Sequence, residues 1–357
     1  MSLAPVDDKG THLYYEDSGP IASAEVYETL VLFHGIYFNG AIFQRLVPYA
    51  REKNIRIVRP NLRDSRGSTP FSQPELDVLR SGDKDAQKEF LIQRTTEVAK
   101  FLRWFIEKEK IPKISESQGR RVGGISIANW SASGCLATSL LGFGASLPSS
   151  TREFLGDYLR SVILYGMYIL LFEEVHTSKS PPDPPFAVLG LKPLTIDECY
   201  LPFIDPTLSN EEKVNRFPEW VTSYYTHSPS ALSSFCIQNY DELPTREEFL
   251  EGVTSTGDSE PAPSLLRTST EILKEVGDPE GVFRSHNPML FINSEIRAEA
   301  FEKALFDDET TSKVFPNVEV PVVENLEASE GEGWPDCSAV VDAILGKNEP
   351  CASLGSA

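Results

Sequence analysis

The chain has 357 residues, with 33 basic side chains against 53 acidic ones and a formal net charge of −20 at neutral pH. A surface of that sign repels phosphate backbones and anionic lipid, and no basic stripe interrupts it, so nucleic acid is excluded as an expected partner. The length allows one large core with an insertion. The five cysteines (Cys135, Cys199, Cys236, Cys337, Cys351) contain no Cys-x-x-Cys pair, which excludes an expected disulfide framework or zinc cluster.

Along the chain, the opening "MSLAPVDDKG" lacks the basic and apolar regions of a secretory leader. The longest apolar run, residues 162–172, is shorter than the roughly 20 residues a spanning helix needs. The expectation is a cytoplasmic chain without a membrane span. "TLVLFHGIYFNG" (29–40) reads as a strand ending in His34-Gly35, "AIFQRLVPYAREKN" as a helix and "IRIVRPN" as the next strand. "LRDSRGSTPFSQPE" reads as a loop. "AQKEFLIQRTTEVAKFLRWFIEKEK" follows as a long amphipathic helix, with Phe90, Leu91, Val98, Phe101, Leu102 and Phe105 on its apolar face. "RRVGGISIA" is the next expected strand, "NWSASG" a tight turn, "GCLATSLLGFGASL" a helix and "RSVILY" (160–165) another buried strand. Strands alternating with helices predict an α/β fold, a mostly parallel sheet with helices on both faces.

The rhythm breaks after that strand. Residues 183–281 are rich in Pro, Glu, Ser and aromatics, with helical pieces such as "NEEKVNRFPEWVTSYYTH", and read as a helical lid inserted into the sheet domain. "NPMLFINSE" and "NVEVPVV" are the last expected strands. Residues 324–357 hold seven acidic residues and one lysine; one short helix over 337–345, capped by Asp336 and stopped at Gly346, is expected there, and otherwise disorder. The predicted organisation is a core in two parts (1–165 and 282–323), an anomalous insertion (166–182), the lid (183–281) and an acidic tail (324–357).

Chemistry concentrates at "NWSASG". A serine on a strained strand-to-helix turn needs small neighbours, which Ala132, Ser133 and Gly134 supply, and Asn129 tolerates a positive φ better than most residues. His34-Gly35, ending a strand, is where an oxyanion hole would draw one backbone N–H, from Ile36, with the second from Ala132. A polar turn without chemistry is the alternative reading. Asn129-Trp130-Ser131 also spells a glycosylation sequon, which a buried elbow would not expose. No Gly-x-Gly-x-x-Gly follows a strand and no His/carboxylate cluster has metal spacing, so neither cofactor nor metal is expected.

Taken in order, "LFHG", "RDSRGSTP" and "NWSASG" resemble the α/β-hydrolase superfamily. More narrowly, "NLRDSRGSTPFSQPEL", "FIEKEKIP" and "DPPFAVLGLKPL" resemble fungal lid-bearing α/β-hydrolases, the likeness running over residues 30–323. The resemblance implies Ser131 as nucleophile, supported by His34 and Gly35, then an acid, then a histidine on a loop after the last strand. The chain departs from this at both later members. Its histidines are His12, His34, His176, His227 and His286, none of them after Val323, so the general base is unassigned and a final strand is missing too. His227 falls in the lid, where capping or packing is its expected task.

The implied acid, Asp183, should follow the strand "VILY" directly, but "GMYILLFEEVHTSKSPP" intervenes. Gly166-Met167-Tyr168 can be encoded with the splice donor GTATGT, and Pro182-Asp183 with an acceptor AG. Excising residues 166–182 in frame yields "VILYDPPFAVLGLKPL", so a retained intron is the expectation, with a true loop insertion as the alternative. Two functions follow. One is a hydrolase of a carboxylic ester or lactone of a small apolar molecule, poor for want of a base. The other is a pseudoenzyme or non-hydrolytic ligand-binding protein, in which Glu324 and Glu327 could serve as carboxylates.

Overall fold

The computed structural model describes residues 2–117, 119–165, 188, 190, 201–221 and 268–323. The chain divides into two compact units. The first comprises Met1–Gly166, Pro184–Pro193 and Lys274–Val322; the second comprises Met167–Asp183, Leu194–Leu273 and Val323–Ala357.

A seven-stranded sheet is built from β1 (Ser2–Pro5), β2 (His12–Asp17), β3 (Glu28–Phe33), β4 (Ile55–Pro60), β7 (Ile125–Trp130), β8 (Leu159–Tyr165) and β9 (Val322–Val323), in the order β1-β2-β4-β3-β7-β8-β9. β2 is antiparallel to β1 and β4, whereas β3 runs parallel to β4 and β7, and β7 to β8. Leading into β9, the N–H groups of Val162 and Leu164 donate to Glu319 O and Pro321 O. The sheet is thus mostly parallel, as the alternation of runs predicts. β3 and most of β7 read as apolar runs because central strands of a parallel sheet bury both faces, and β4, buried along its whole length, carries Arg56 and Arg59 paired with Asp17, Glu109 and Glu16.

In the first unit, helices α1 (Leu46–Glu52), α2 (Gln73–Arg80), α3 (Lys84–Glu109), α4 (Gly134–Gly142) and α5 (Ser149–Gly156) lie between the strands in sequence. Asp83 opens α3 by accepting the Ala86 N–H. The apolar face of α3 meets β2, where Tyr15 packs edge-on against Phe101 at 5.9 Å and Phe105 at 5.6 Å. In the second unit, α6 (Asn210–Val221) packs with the turn Pro202–Ile204, Phe203 stacking on Phe217 at 4.4 Å. α7 (Thr270–Val276) leads back to the first unit, followed by α8 (Asn287–Leu290), α9 (Ser294–Leu305) and α10 (Asp308–Val314). α4 and α9 touch backbone to backbone: a β-carbon on Gly142 would lie 2.2 Å from Ala300 O. No helix among the described residues is long and apolar enough to cross a membrane.

Four expectations are corrected. "NPMLFINSE" is not a strand: it forms α8 and the start of α9, because Asn293 caps the Glu295 N–H and turns the chain into a helix. "RRVGGISIA" is not one strand but two, since Gly123 and Gly124, at φ +74 and +78, separate β6 (Arg120–Val122) from β7. β6 pairs instead with β5 (Ser115–Ser117) in a separate hairpin. "AIFQRLVPYAREKN" splits into a one-turn 3-10 helix, Gly40–Phe43, and α1. The end of the expected loop "LRDSRGSTPFSQPE" is helical, because Ser72 and Glu75 form a capping box that starts α2. The insertion 166–182 and the tail 324–357, with Asp336 and its helix, lie outside the described residues.

Candidate functional site

Ser131 follows β7 directly and takes φ +54, a left-handed conformation that costs an L-residue roughly 1–2 kcal/mol. The chain then closes the one-turn helix Ser131–Ser133 and enters α4. Ser133 pins the turn, its hydroxyl placed to donate to Phe33 O at 3.1 Å or Trp130 O at 3.0 Å. Asn129 is buried in register between Phe33 and Leu164, and its amide nitrogen has no partner among the described residues. Ser131 and Ala132 remain half-buried and can be reached.

The loop after β3 packs onto this turn. A β-carbon on Gly35 would stand 3.3 Å from Ser131 Cβ and 3.4 Å from Trp130 O, so the glycine permits the close approach. The next residue is Ile36, whose N–H makes no hydrogen bond among the described residues. Ala132 supplies an N–H from the opening turn of a helix, ahead of the regular helical ladder. Trp130 packs on Phe38 at 5.2 Å and edge-on to Phe43 at 6.1 Å, joining the elbow to the loop through an aromatic layer. The structure therefore brings together Ser131, Ala132, Gly35 and Ile36, the residues singled out in the sequence.

His34 is fully buried and is a strut. Its Nδ1 faces Gly35 O at 2.9 Å and its Nε2 faces the Leu62 N–H at 3.0 Å. A carbonyl only accepts and an N–H only donates, so these partners fix the neutral tautomer with the proton on Nδ1. Burial, foremost, pushes its pKa down to about 3. His286 lies in the π-helical turn Val282–His286, its Nε2 3.1 Å from Arg63 O and 3.3 Å from Ser65 Oγ. Its Nδ1 is buried without a partner among the described residues, and burial lowers its pKa too. His12, on β2, faces Gly10 O and Thr69 Oγ1. Among the described residues no histidine hydrogen-bonds Ser131. His176, His227, Asp183, Glu324 and Glu327 lie outside the described residues.

Sequence reasoning missed the polar residues that hold the loop. Asn39 donates from Nδ2 to Glu275 O at 2.8 Å, and Asn61 accepts the Gly40 N–H at 2.8 Å. Arg66 and Asp278 meet through the Arg66 N–H and Asp278 Oδ2 at 2.5 Å. The available signal was turn chemistry, Asn and Asp beside Gly in "FNG" and "VGD".

The described residues thus form a mostly parallel sheet in which a left-handed serine joins strand to helix beside a His-Gly loop. No family model and no curated protein matches the chain. Among solved structures it is similar to a bromoperoxidase from Bacillus anthracis, at 14% identity, 97% of this chain, 95% of that one and a TM-score of 0.40. It is also similar to a carboxylesterase of Nitrososphaera gargenis, at 13% identity, 91% and 90% coverage and a TM-score of 0.37. For an epoxide hydrolase of Solanum tuberosum the figures are 14%, 91%, 92% and 0.43.

Proposed function

We propose that the chain is a slow acyl hydrolase acting on a carboxylic ester or lactone of a small apolar molecule. Ser131 is the nucleophile, the N–H groups of Ile36 and Ala132 form the oxyanion hole, and residues 183–281 serve as a lid. One observation carries the reading: a non-glycine residue kept at φ +54 between strand and helix, against a glycine that leaves room for it. Strain of this kind persists where the surrounding structure over-determines it, and such positions cluster at active sites.

In this chemistry Ser131 Oγ attacks the carbonyl carbon, and the oxyanion takes up the two N–H groups. Collapse expels the alkoxide to leave an acyl-enzyme, which water hydrolyses. The serine proton needs an acceptor, a role in which Asp183 would orient a base. No histidine among the described residues supplies it; with an unactivated serine the rate would rest on the hole and on substrate binding. Those two alone give roughly a thousandfold to ten-thousandfold over water. A second reading, a pocket that binds a carbonyl-bearing ligand without cleaving it, is favoured by His34, whose ring beside the elbow has both nitrogens engaged by backbone groups.

A fluorophosphonate probe separates the two. Labelling that disappears in Ser131→Ala supports the hydrolase. No labelling, together with saturable binding of a small ester by calorimetry, supports the binding protein.

A further inference from the structure

The hole requires the loop carrying Ile36 to stay in place, and that loop is itself strained, with Tyr37 at φ +72. Its support comes from two segments distant in sequence. The Asp278 N–H donates to Tyr37 O at 2.6 Å, Phe38 bridges Gly277 in antiparallel fashion, and the Asn39 N–H donates to Val276 O at 2.9 Å. This short strap is fastened in turn by the loop after β4. The guanidinium of Arg66 donates to Lys274 O at 2.9 Å, Gly277 O at 3.1 Å and Glu275 O at 3.4 Å, satisfying carbonyls at the end of α7 as a cation does at a helix C-terminus. Asn61 closes the ring, accepting from Gly40 N–H and donating to Arg66 O at 2.7 Å.

Asp278 is the side chain at which the strap and the Arg66 loop meet. It is buried, and burial raises its carboxyl pKa, so keeping a carboxylate there is unfavourable unless its hydrogen bond from the Arg66 N–H matters. We propose that Asp278 is a positioning residue for the oxyanion hole: it clamps residues 274–278 against the 61–67 loop and so fixes Tyr37 and the neighbouring Ile36 N–H. The inference rests on the reading of Ser131 as nucleophile.

The test measures phosphonylation of the full chain by a fluorophosphonate, resolving the maximal inactivation rate from the half-saturating concentration, alongside hydrogen exchange of residues 33–43. Asp278→Ala is expected to lower the maximal rate by roughly tenfold to a hundredfold, with the half-saturating concentration unchanged, less than the roughly hundredfold to thousandfold of outright loss of an oxyanion donor because the Ile36 N–H is displaced and not removed. Asp278→Asn, which keeps an acceptor for the Arg66 N–H, is expected to restore the rate to within about threefold. A merely structural residue would not give this split and rescue. Exchange at residues 35–39 should rise in Asp278→Ala and not in Asp278→Asn.

If Asp278→Ala fails to fold, Arg66→Gln, at an exposed position, should lower the rate at least about threefold by releasing the strap. A wild-type rate in Asp278→Ala, or in Arg66→Gln where it stands in, overturns the proposal, as does failure of Asp278→Asn to rescue. If the wild-type chain takes no label, the nucleophile reading fails by itself. Exchange then decides: faster exchange at 35–39 in Asp278→Ala alone sustains the clamp, and unchanged exchange overturns it.

Discussion

The buried His34 makes the fold acid-sensitive in a way that can be separated from the other titrations. Its pKa falls from 6.5 to about 3 on folding, chiefly through burial. A depressed folded pKa means that the unfolded chain binds the proton first, so stability is fully present above pH 6.5 and is lost as pH falls toward 3. At pH 5 the loss is about 2 kcal/mol, and over the whole window it approaches about 5 kcal/mol, at about 1.4 kcal/mol per pH unit. The geometry gives the same sign independently, because a proton on Nε2 would face the Leu62 N–H, donor against donor. His34→Gln keeps an acceptor near Nε2 and removes the titration. Equilibrium urea unfolding of both proteins at pH 7 and pH 5 should show a drop about 2 kcal/mol smaller in His34→Gln. His286 titrates in the same direction but is common to both chains. Equal drops would refute the assignment of His34 as a neutral strut.

Further outcomes follow from the same geometry. Ser131→Gly should relieve the left-handed backbone and raise stability by roughly 1 kcal/mol in chemical unfolding, while abolishing phosphonate labelling. Gly35→Ala should fold but label roughly tenfold more slowly or worse, because its β-carbon meets Ser131 Cβ at 3.3 Å; an unchanged rate would detach the loop from the reaction. Gly142→Ala, with a β-carbon 2.2 Å from Ala300 O, should lower the unfolding free energy by about 2–3 kcal/mol, and a neutral effect would contradict the close packing of α4 on α9. Sequencing the transcript across codons 160–190 should find a message lacking residues 166–182, joining Tyr165 to Asp183 in frame; uniform retention of those codons would refute the intron.

Much of the sheet is legible in the sequence because its central strands are buried on both faces. "TLVLF", "IRIV", "ISIA" and "VILY" carry enough apolar residues that turn signals alone delimit them. The edge is less legible. β2, "HLYYED", buries only Leu13 and Tyr15, and alternation across so short a run gives little signal among polar neighbours. α2 is hidden for a different reason: the Ser and Pro of "FSQP" suggest a loop, yet in "SQPE" they are the cap and first turn of a helix. "NPMLFINSE" fails because an apolar run of that length has no period of its own, and the deciding residue, Asn293, acts through a cap.

The candidate site divides along the same physical line. Its elbow is local: small residues around Ser131 and the glycine that faces it can be read from two short segments. Its support is not. Asn39 reaches Glu275, Arg66 reaches residues 274–278 and His286 reaches Arg63, all across more than two hundred positions. A polar side chain in a loop announces a turn but does not announce its distant acceptor. His34 shows the consequence most clearly. In sequence, a histidine beside an oxyanion-loop glycine invites a chemical role; in the fold both ring nitrogens are already engaged, by Gly35 O and the Leu62 N–H. A base must exchange its proton with the substrate or the nucleophile, and a ring held neutral by two backbone partners cannot do so without dismantling the loop that carries Gly35 and Ile36. Under the proposed role of Ser131, the acceptor of its proton is therefore to be sought away from His34, while a substitution there would still shift Gly35, which packs against Ser131.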